Sequence, residues 1–502
     1  MVQLQQDWAS KWAVYSPDRE AFKEYETGRC WTYGQLNRMA NQMAHHFTKD
    51  RKLRKGDRIA VLAENCLEYI LLFSVAQKTG LTLVPLNYRL APAEIDYLLK
   101  TADPHLVIWE EQYQELLAAA PQFEQIRQHL PMVEFSAMLD PQRKRGKLDH
   151  FAIHPVEEDD PVFILFTSGT TGFPKGALYT HKMLFWNSIN TAMSLILNTE
   201  SRTINVMPPF HTGGWNVFTT PFFHHGAYMV LMKKFDPEAV LSLLEREGAT
   251  IFMGVPTILK MLAEQPAFSD ADLSSLYYII VGGEPMPIPL IEQWHEKGVP
   301  IRQGYGLTEV GPNLTSLHQR DAIRKKGSIG RPNYYVQIKI ADPDTGAEMA
   351  PNEPGELLLK GPMVTPGYWK NEAATQKAIE DGWFHTGDQV IQDEEGYLYV
   401  VDRIKNMFIS GGENVYPAEV ERVLIQHPDV EEVCVTGVPH EKWGEVGKAF
   451  VVSRSANLSP EILIGFCQDK LARFKIPKFV VFLKELPKND TGKIDRRALK
   501  GL

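Results

Sequence analysis

The sequence has few cysteines, and those it has lie far apart. Its 502 residues include four, Cys30, Cys66, Cys434 and Cys467, and no two of them form a C-x-x-C pair. This spacing argues against a disulfide framework and against a structural zinc site. We therefore expect a cytoplasmic protein, because thiols stay reduced in that compartment.

The distribution of basic and apolar residues along the sequence predicts no targeting or membrane-anchoring segment. The stretch from Met1 to Trp8 has neither the basic residues nor the apolar core of a signal peptide. The longest apolar stretch, around Tyr69 to Ala76, is far too short to cross a bilayer as a helix. No membrane span is expected.

The sequence has no excess of positive charge. Its 53 Lys and Arg residues are outnumbered by 62 Asp and Glu residues, which gives a net charge of −9 and no reason to expect nucleic acid as a partner. Hydrophobic residues at 44% and charged residues at 23% are typical of an ordinary globular protein. The length exceeds what one core supports and favours roughly three structural units.

Apolar strands alternate with helices along the first two thirds of the chain. Runs typical of buried strands occur at 58–63, 81–86, 106–109, 161–165, 203–207, 251–253, 277–281 and 300–303, and helical patterns at 67–77, 93–100, 184–197 and 237–247. Thr32 is expected to cap a further helix that begins at Tyr33. This alternation predicts an α/β fold with doubly wound, mostly parallel sheets.

Beyond Ser328 the pattern changes to short strands separated by Gly and Pro turns. We predict a β-rich, barrel-like subdomain over 328–402. A compact α+β domain follows, in which Pro417 opens a helix. With the boundary placed at Lys405, the predicted domains are 1–404 and 405–502.

A glycine-rich stretch from Phe166 to Gly176 follows the apolar run 161–165. Its three glycines make a regular strand or helix improbable, so the chain must turn. Free backbone N–H groups in such a turn can form a nest for an anion, and Lys175 adds a positive charge. Phosphate is the natural ligand, although the spacing differs from G-x-x-x-x-G-K-[ST]. The alternative is an ordinary Ser/Thr/Gly-rich surface loop.

Two further glycine turns come directly after predicted strands. One is Gly282-Gly283-Glu284-Pro285 and the other runs from Gly304 to Glu309. In open parallel sheets, ligands bind beyond the carboxyl ends of the strands. We therefore expect a nucleotide at these turns.

Six motifs in this order resemble the adenylate-forming superfamily, which comprises acyl-CoA synthetases, adenylation domains of nonribosomal peptide synthetases and beetle luciferases. Besides the glycine loop, the resemblance rests on 207–211 (MPPFH), 305–309 (YGLTE), 382–388 (GWFHTGD), 402–405 (DRIK), 411–417 (GGENVYP) and 487–494 (PKNDTGKI). It covers nearly the whole chain and is greatest to medium- and long-chain fatty acyl-CoA synthetases. The activity it implies is the AMP-forming ligation of a carboxylic acid to CoA.

The resemblance assigns roles to individual residues in an ATP site. Thr167, Ser168, Gly169, Thr170, Thr171, Gly172 and Lys175 would hold the β- and γ-phosphates, Thr308 would contact the α-phosphate, and Glu309 would ligate Mg²⁺, a cation that prefers oxygen ligands. Tyr305 and Gly306 would lie beside adenine with the backbone of Gly283, Glu284 and Pro285, and Asp388 and Arg403 would bind the ribose. Lys493 would stabilise the charge that develops at the attacking carboxylate and the α-phosphate. Considered singly, Glu309 could instead cap a helix and Lys493 could simply be solvated.

A second half-reaction follows from the same resemblance. The thiolate of CoA would attack the acyl adenylate after the C-terminal domain rotates about the hinge residue Lys405. That rotation would withdraw Lys493 and present Gly411 and Gly412 to the pantetheine tunnel. Asn406 differs from the acidic residue that is frequent at its position.

His211 and Trp215 indicate which class of carboxylic acid is the substrate. Amino-acid-activating relatives carry Asp in place of His211 to pair with the substrate ammonium, so His211 favours an acid without an α-amine. Trp215 resembles the indole that gates the acyl tunnel of long-chain synthetases, or it is ordinary core. We predict a fatty acid, with an aryl or o-succinylbenzoate acid as the alternative and a luciferase-like oxygenase or a non-catalytic nucleotide-binding protein less favoured. Homodimers are common among fatty-acid members, and a lipid substrate permits peripheral membrane contact.

Overall fold

The fold was analysed in a computed structural model of the chain. The structure describes residues 6–142, 146, 150–151, 156–167, 174–283, 286–403, 406–410, 413–441, 443–468, 470–471, 473–489 and 492–501, with the backbone alone at positions 403, 413 and 414.

The chain folds into two compact units. The first comprises Met1–Ile338 and Leu359–Phe384, and the second comprises Lys339–Leu358 and His385–Leu502. The domain boundary predicted at Lys405 falls on a residue outside the described ones and stays a prediction. Among the helices that the structure describes, none is long and apolar enough to cross a bilayer.

The α-helices of the described residues are α1 (Trp8–Tyr15), α2 (Tyr33–His45), α3 (Leu67–Thr79), α4 (Pro92–Ala102), α5 (Gln114–Ala118), α6 (Pro121–Gln125), α7 (Met132–Ala137), α8 (His181–Leu195), α9 (Thr219–His224), α10 (Pro237–Arg246), α11 (Pro256–Ala263), α12 (Ile288–Glu296), α13 (Glu372–Ala378), α14 (Pro417–Leu424), α15 (Pro460–Gln468) and α16 (Arg496–Lys500).

The strands are β1 (Glu20–Glu24), β2 (Cys30–Thr32), β3 (Arg58–Leu62), β4 (Thr82–Pro85), β5 (Leu106–Trp109), β6 (Gln128–Pro131), β7 (Pro161–Thr167), β8 (Lys175–Thr180), β9 (Arg202–Asn205), β10 (Tyr228–Leu231), β11 (Ile251–Gly254), β12 (Tyr278–Val281), β13 (Ile301–Tyr305), β14 (Thr315–Leu317), β15 (Arg331–Pro332), β16 (Gln337–Ala341), β17 (Pro354–Lys360), β18 (Ile379–Glu380), β19 (Trp383–Gln392), β20 (Leu398–Arg403), β21 (Phe408–Ser410), β22 (Glu413–Val415), β23 (Val430–His440), β24 (Gly444–Ser453) and β25 (Phe479–Leu483).

Three sheets form the frame of the first unit. A six-stranded sheet has the order β6–β5–β3–β4–β7–β8, a five-stranded sheet the order β11–β12–β13–β14–β15, and a four-stranded sheet the order β2–β1–β10–β9. The six-stranded and four-stranded sheets are parallel except for one antiparallel edge strand each, and the five-stranded sheet is parallel over β11–β12–β13 and antiparallel over β13–β14–β15. The predicted α/β class with mostly parallel sheets is confirmed.

Local sequence explains how the helices of this unit begin and pack. Thr32 accepts a hydrogen bond from the backbone of Gln35 while the Gln35 side chain accepts one from the Thr32 N–H, so the predicted cap of α2 is a complete capping box. Every residue of α3 is buried, because the helix is apolar on most of its surface and lies within the main core.

A further sheet has the order β16–β17–β19–β18, with β20 beside β19. Strand β19 is antiparallel to both β18 and β20. In the second unit, β22–β21–β24–β23 form a sheet with β25 beside β24, and α14 packs its buried Val420 and Leu424 into the core beneath. The helix predicted to open at Pro417 is confirmed.

Candidate active site

The glycine-rich stretch joins two antiparallel strands, as the predicted turn requires. Thr167 at the end of β7 pairs in register with Lys175 at the start of β8, and the Thr167 hydroxyl donates a 3.5 Å hydrogen bond to the Lys175 carbonyl. Both side chains are half-buried. The intervening predicted residues, Ser168, Gly169, Thr170, Thr171 and Gly172, lie outside the described residues.

Glu309 lies directly beside the hairpin of strands β7 and β8, which we call the phosphate-loop hairpin. Its Oε1 accepts a 3.3 Å hydrogen bond from the Thr167 hydroxyl and a 3.0 Å hydrogen bond from the hydroxyl of Tyr368. The Lys175 ammonium lies 5.3 Å from the centroid of the Tyr368 ring. The structure therefore brings together three residues that the sequence assigned to phosphate and metal binding.

Tyr368 is a member of this cluster that sequence reasoning missed. Burial, with the Glu309 charge adding to it, raises the pKa of Tyr368, so its hydroxyl remains a donor at neutral pH. Its segment is tied to the edge of β8, because the N–H of Trp369 donates to the Gly176 carbonyl at 2.7 Å and the N–H of Leu178 donates to the Gly367 carbonyl at 3.0 Å. The run Pro366–Trp369 carries no charge, and its turn-like composition alone gave no signal of this role.

The turn that carries Thr308 and Glu309 is shaped by a close backbone approach. Thr308–Val310 is one turn of 3₁₀ helix after β13. A Cβ on Gly306 would lie 2.0 Å from the Pro312 carbonyl oxygen, so only glycine fits. Thr308 and Glu309 thus follow the carboxyl end of a parallel strand, where the sequence placed them.

The predicted adenine contacts lie at neighbouring strand ends. Tyr305 ends β13, and Gly283 follows the adjacent strand β12 with a φ of +86°, a left-handed conformation that favours glycine. The Tyr305 carbonyl accepts a 3.1 Å hydrogen bond from the N–H of Leu314. Glu284 and Pro285, the other two residues of that prediction, lie outside the described residues.

His211 is half-buried at the start of a loop with a defined ring orientation. The backbone N–H of Gly213 donates to His211 Nδ1 at 3.1 Å, so the neutral ring carries its proton on Nε2. A turn of π-helix, Gly213–Val217, follows directly. Through its Nε2–H, the neutral imidazole can donate a hydrogen bond to an oxygen atom.

Trp215 lies in the core of the first unit. Its Nε1–H donates a 2.7 Å hydrogen bond to the Pro209 carbonyl, and its ring centroid lies 5.0 Å to 5.6 Å from those of Tyr69, Phe73 and Phe163. The cavity beside it has a volume of about 10 Å³, room for one water molecule. Its predicted role as a gate stays a prediction.

A buried asparagine joins the His211 loop to the Glu309 turn. The side-chain amide of Asn313 donates hydrogen bonds to Thr191 Oγ1 at 2.6 Å, to the Val217 carbonyl at 3.2 Å and to the Asn216 carbonyl at 3.3 Å. Asn313 is 8% exposed. Because an unpaired buried amide is costly, this network fixes the two loops relative to each other.

A cleft of about 380 Å³ opens beside the residues that precede His211. It is lined by aromatic, acidic and basic side chains: Glu64, Tyr88, Arg89, Val206, Pro208, Lys233, Lys234 and Phe235. Lys233 is paired with the buried Glu110. Arg89 and Lys234 are two further cations of the lining against one acidic side chain, Glu64, which makes the cleft suited to an anionic ligand.

The residues present fit a magnesium ion that is held in part by its substrate. Within the described part of the chain, no three His, Cys, Asp or Glu side chains cluster as metal ligands. Mg²⁺ commonly binds through one or two carboxylates together with substrate phosphates. Glu309, beside the phosphate-loop hairpin, matches that arrangement.

In the second unit, the predicted ribose contacts fall on neighbouring strands. Asp388 on β19 and Arg403 on β20 are directly opposite in the antiparallel register. Asp388 is 2% exposed, and its N–H donates to Thr386 Oγ1 at 3.1 Å. The register thus brings the backbones of the two predicted residues together.

Lys493 lies on an exposed turn of the second unit. Its N–H donates to Asn489 Oδ1 at 3.0 Å, and the Asn489 N–H donates to the Lys493 carbonyl at 2.7 Å. Gly492, with a φ of +84°, provides the left-handed residue of the turn. The hinge Lys405 and the CoA-loop residues Gly411 and Gly412 lie outside the described residues.

Two family models match the chain. The model described as AMP-binding enzyme matches residues 9–369, and the model described as AMP-binding enzyme C-terminal domain matches residues 419–493. Together they include the His211 loop, the Glu309 cluster and Lys493.

Similar proteins of known activity span nearly the whole length. The chain is 37% identical to a feruloyl-CoA synthase of Amycolatopsis sp over 97% of this chain and 96% of the relative. It is 37% identical to the long-chain-fatty-acid–CoA ligase FadD13 of Mycobacterium tuberculosis, again over 97% and 96% of the two chains.

A solved structure of o-succinylbenzoate coenzyme A synthetase from Bacillus subtilis, in complex with ATP and magnesium ion, also matches. It is 31% identical with a TM-score of 0.86 and covers 98% of this chain and 99% of the other. The match extends to the fold of both parts of the chain. The chain belongs to the AMP-binding enzyme family, as an AMP-forming acyl-CoA synthetase.

Proposed function

We propose that this enzyme activates a carboxylic acid without an α-amine and transfers its acyl group to CoA. The carboxylate attacks the α-phosphorus of ATP and expels pyrophosphate, which leaves an acyl adenylate. The CoA thiolate then attacks the acyl carbon and expels AMP, which leaves a thioester. The observation that carries the proposal is the meeting of Glu309, Thr167 and Lys175 at the phosphate-loop hairpin.

Each proposed role has a physical reason. Two anions meet in the first step, so positioning and charge neutralisation supply most of the rate enhancement. Lys175 and the hairpin would bind the terminal phosphates, Glu309 would hold Mg²⁺, and Thr308 would donate to the α-phosphate. When bound, the ion would neutralise phosphate charge.

Adenine and ribose would be bound by the remaining predicted residues. Tyr305 and Gly306 would lie against adenine with the 283–285 backbone. Asp388 and Arg403, opposite each other on β19 and β20, would hold the ribose hydroxyls. Lys493 would stabilise the charge that grows in the transition state.

His211 supports an acid without an ammonium group, and a fatty acid is the first candidate. The similarity to the long-chain-fatty-acid–CoA ligase favours it. A compact aryl or o-succinylbenzoate-type acid is the second candidate, supported by the similarity to a feruloyl-CoA synthase and to an o-succinylbenzoate coenzyme A synthetase.

We propose that CoA phosphates bind in the cleft that holds Arg89, Lys233 and Lys234. Guanidinium and ammonium groups match phosphate oxygens. The hinge Lys405 and the loop of Gly411 and Gly412 would act in the domain rotation that the resemblance implies.

Lys493→Ala tests the catalytic assignment. With ATP, Mg²⁺, CoA and a panel of acids from acetate to oleate plus benzoate and succinylbenzoate, the parent enzyme should release AMP only when acid and CoA are both present. The variant should lose acid-dependent pyrophosphate release and still bind ATP. Lys500→Ala, an exposed lysine on α16, is the control and should behave like the parent enzyme. Unchanged pyrophosphate release by Lys493→Ala would refute the proposal.

A further inference from the structure

Arg302 is a buried cation on β13 that has no acidic partner within the described part of the chain. The residue is 4% exposed, and its Cζ lies 4.7 Å from the centroid of the Tyr278 ring. No carboxylate among the described residues pairs with it, and its Nε has no hydrogen-bond acceptor there. Burying an uncompensated charge is costly, so such a group calls for an anion or acceptor.

The aromatic neighbour compensates this charge only in part. Burial raises the pKa of Tyr278, so its phenol is neutral at physiological pH and forms no ion pair with Arg302. The Arg302 guanidinium hydrogen-bonds the Tyr278 hydroxyl, which itself donates to the carbonyl of Leu195, the last residue of α8. Burial lowers the pKa of Arg302 in spite of this contact, so Tyr278 offsets only part of the cost of burying the charge.

Arg302 lies on the face of the sheet that packs into the main core of the first unit. Successive side chains alternate along a strand, so Arg302 shares its face with Gly304 and with its cross-strand partner Ile280. Ile280 and Tyr278 belong to the same core cluster as Trp215, in the π-helical turn after His211. Arg302 thus lies on the side of the sheet that packs into the core containing Trp215, the residue that the resemblance associates with the acyl chain.

Glycine at position 304 puts no side chain of its own between Arg302 and the catalytic turn. Gly304 comes immediately before Tyr305 and the turn that carries Glu309. Even the Cβ of an alanine there would lie 3.4 Å from Ile280 Cδ1. Arg302 is two residues farther from the catalytic turn, about 7 Å along the strand. An acid that passes Gly304 would meet the guanidinium with its far end.

We propose, on the basis of the proposed function, that Arg302 is a specificity-determining residue that binds an oxygen acceptor, best a carboxylate, at the end of the acid remote from its reacting carboxyl group. The preferred substrates are then dicarboxylic or otherwise oxygenated acids, whether their backbone is aliphatic or aromatic. A guanidinium is suited to this task because it stays charged and presents several donors in a plane.

The test compares matched acids that differ only at the far end. AMP release is measured for octanoate against octanedioate, and for 4-oxo-4-phenylbutanoate against 2-succinylbenzoate. The parent enzyme should favour the oxygenated member of at least one pair by roughly 10- to 100-fold in kcat/KM, the range of a charge-assisted hydrogen bond. Arg302→Met should remove that preference, and Arg302→Lys should retain part of it.

Arg331→Met is the matched control, because Arg331 is an exposed arginine of the same sheet, and this variant should keep the preference of the parent enzyme. Even if Arg302→Met does not fold, the preference of the parent enzyme for the oxygenated member of each pair tests the role of Arg302. Turnover of octanoate and 4-oxo-4-phenylbutanoate in preference to their partners would overturn the role of Arg302 and leave the ligase proposal standing. An equal fall for both members of each pair in folded Arg302→Met would also overturn it. AMP release with no acid at all would refute the proposed function itself.

Discussion

The hydroxyl of Tyr368 donates a 3.0 Å hydrogen bond to Oε1 of Glu309, the same oxygen that accepts from Thr167. Both protein donors thus converge on one carboxylate oxygen, and no described residue donates a hydrogen bond to Oε2. A carboxylate held in this way has its second oxygen oriented for another ligand. This geometry is what a magnesium site shared with substrate phosphates requires.

Tyr368→Phe should weaken magnesium use. Without the hydroxyl, Glu309 loses the donor that fixes its rotamer and can turn toward the nearby Lys175 ammonium. A hydrogen bond to a charged group contributes about 1.5–3 kcal/mol, so we expect the Mg²⁺ concentration for half-maximal adenylation to rise about tenfold. The measurement is a Mg²⁺ titration of pyrophosphate release at saturating ATP.

Tyr334→Phe serves as the control for this prediction. Tyr334 is 75% exposed in the same unit, so loss of its hydroxyl should leave the titration unchanged. Superimposable Mg²⁺ curves for the parent and Tyr368→Phe would contradict the orienting role.

Tyr368 also shows where the sequence could not predict the site. Lys175 was predictable because a cation in a glycine turn at a strand end indicates phosphate binding, and Glu309 was predictable because its motif, 305–309, resembles that of the adenylate-forming superfamily. Tyr368 reaches Glu309 only because residues 365–369 pair with β8, a contact across about 190 positions of sequence that no local pattern encodes. Asn313 was missed for the same reason, since its partners come from α8 and the π-helical turn.

The regular elements were more predictable than these contacts. The strand predicted at 106–109 and the helix predicted from Pro417 occur as expected, because apolar periodicity and helix starts are local signals. The chain at 213–217 forms a π-helical turn that periodicity did not reveal. Close backbone packing around Gly214, where a Cβ would lie 2.2 Å from the Pro208 carbonyl oxygen, is a tertiary feature.

Gly306→Ala should disable adenylation. The new Cβ would overlap the Pro312 carbonyl oxygen at 2.0 Å, and backbone atoms cannot rotate away as a side chain can. The turn that carries Thr308 and Glu309 must then move, and a displacement of about 1 Å at a reacting group costs on the order of 100-fold in rate. The measurement is acid-dependent pyrophosphate release together with the midpoint of thermal unfolding.

Gly465→Ala is the matched control for that substitution. Gly465 lies inside α15, and a Cβ added there would have no heavy atom of the described residues within 4 Å, apart from its own chain neighbours and the helix backbone. Alanine should therefore stabilise the helix by about 0.5–1 kcal/mol and leave the rate unchanged. A parental rate for Gly306→Ala would show that the turn tolerates the methyl group.

Two adjacent half-buried histidines should make the first unit sensitive to acid. Burial, with the charge of His225 adding to it, lowers the pKa of His224 to about 3, and burial lowers the pKa of His225 to about 4. The His224 ring stacks on Trp8 at a centroid distance of 4.4 Å and its Nδ1 lies 2.9 Å from Ser188 Oγ, so both of these contacts are to uncharged groups. A proton bound to either ring therefore favours the unfolded chain.

The sign of the pH dependence follows from these directions. Unfolded histidine binds a proton near pH 6.5, so between that value and about pH 4 the unfolded state holds more protons than the native state. The stability contributed by the neutral rings is complete above pH 6.5 and is lost as the pH falls, by up to about 1.4 kcal/mol per pH unit for each histidine.

The double substitution His224→Asn and His225→Asn should flatten the dependence of the unfolding midpoint on pH between 6.5 and 4.5, measured by tryptophan fluorescence in urea. His150→Asn, at an exposed position, should leave the slope of the parent protein unchanged. Parallel curves for the parent and the double variant would show that other groups govern its acid sensitivity.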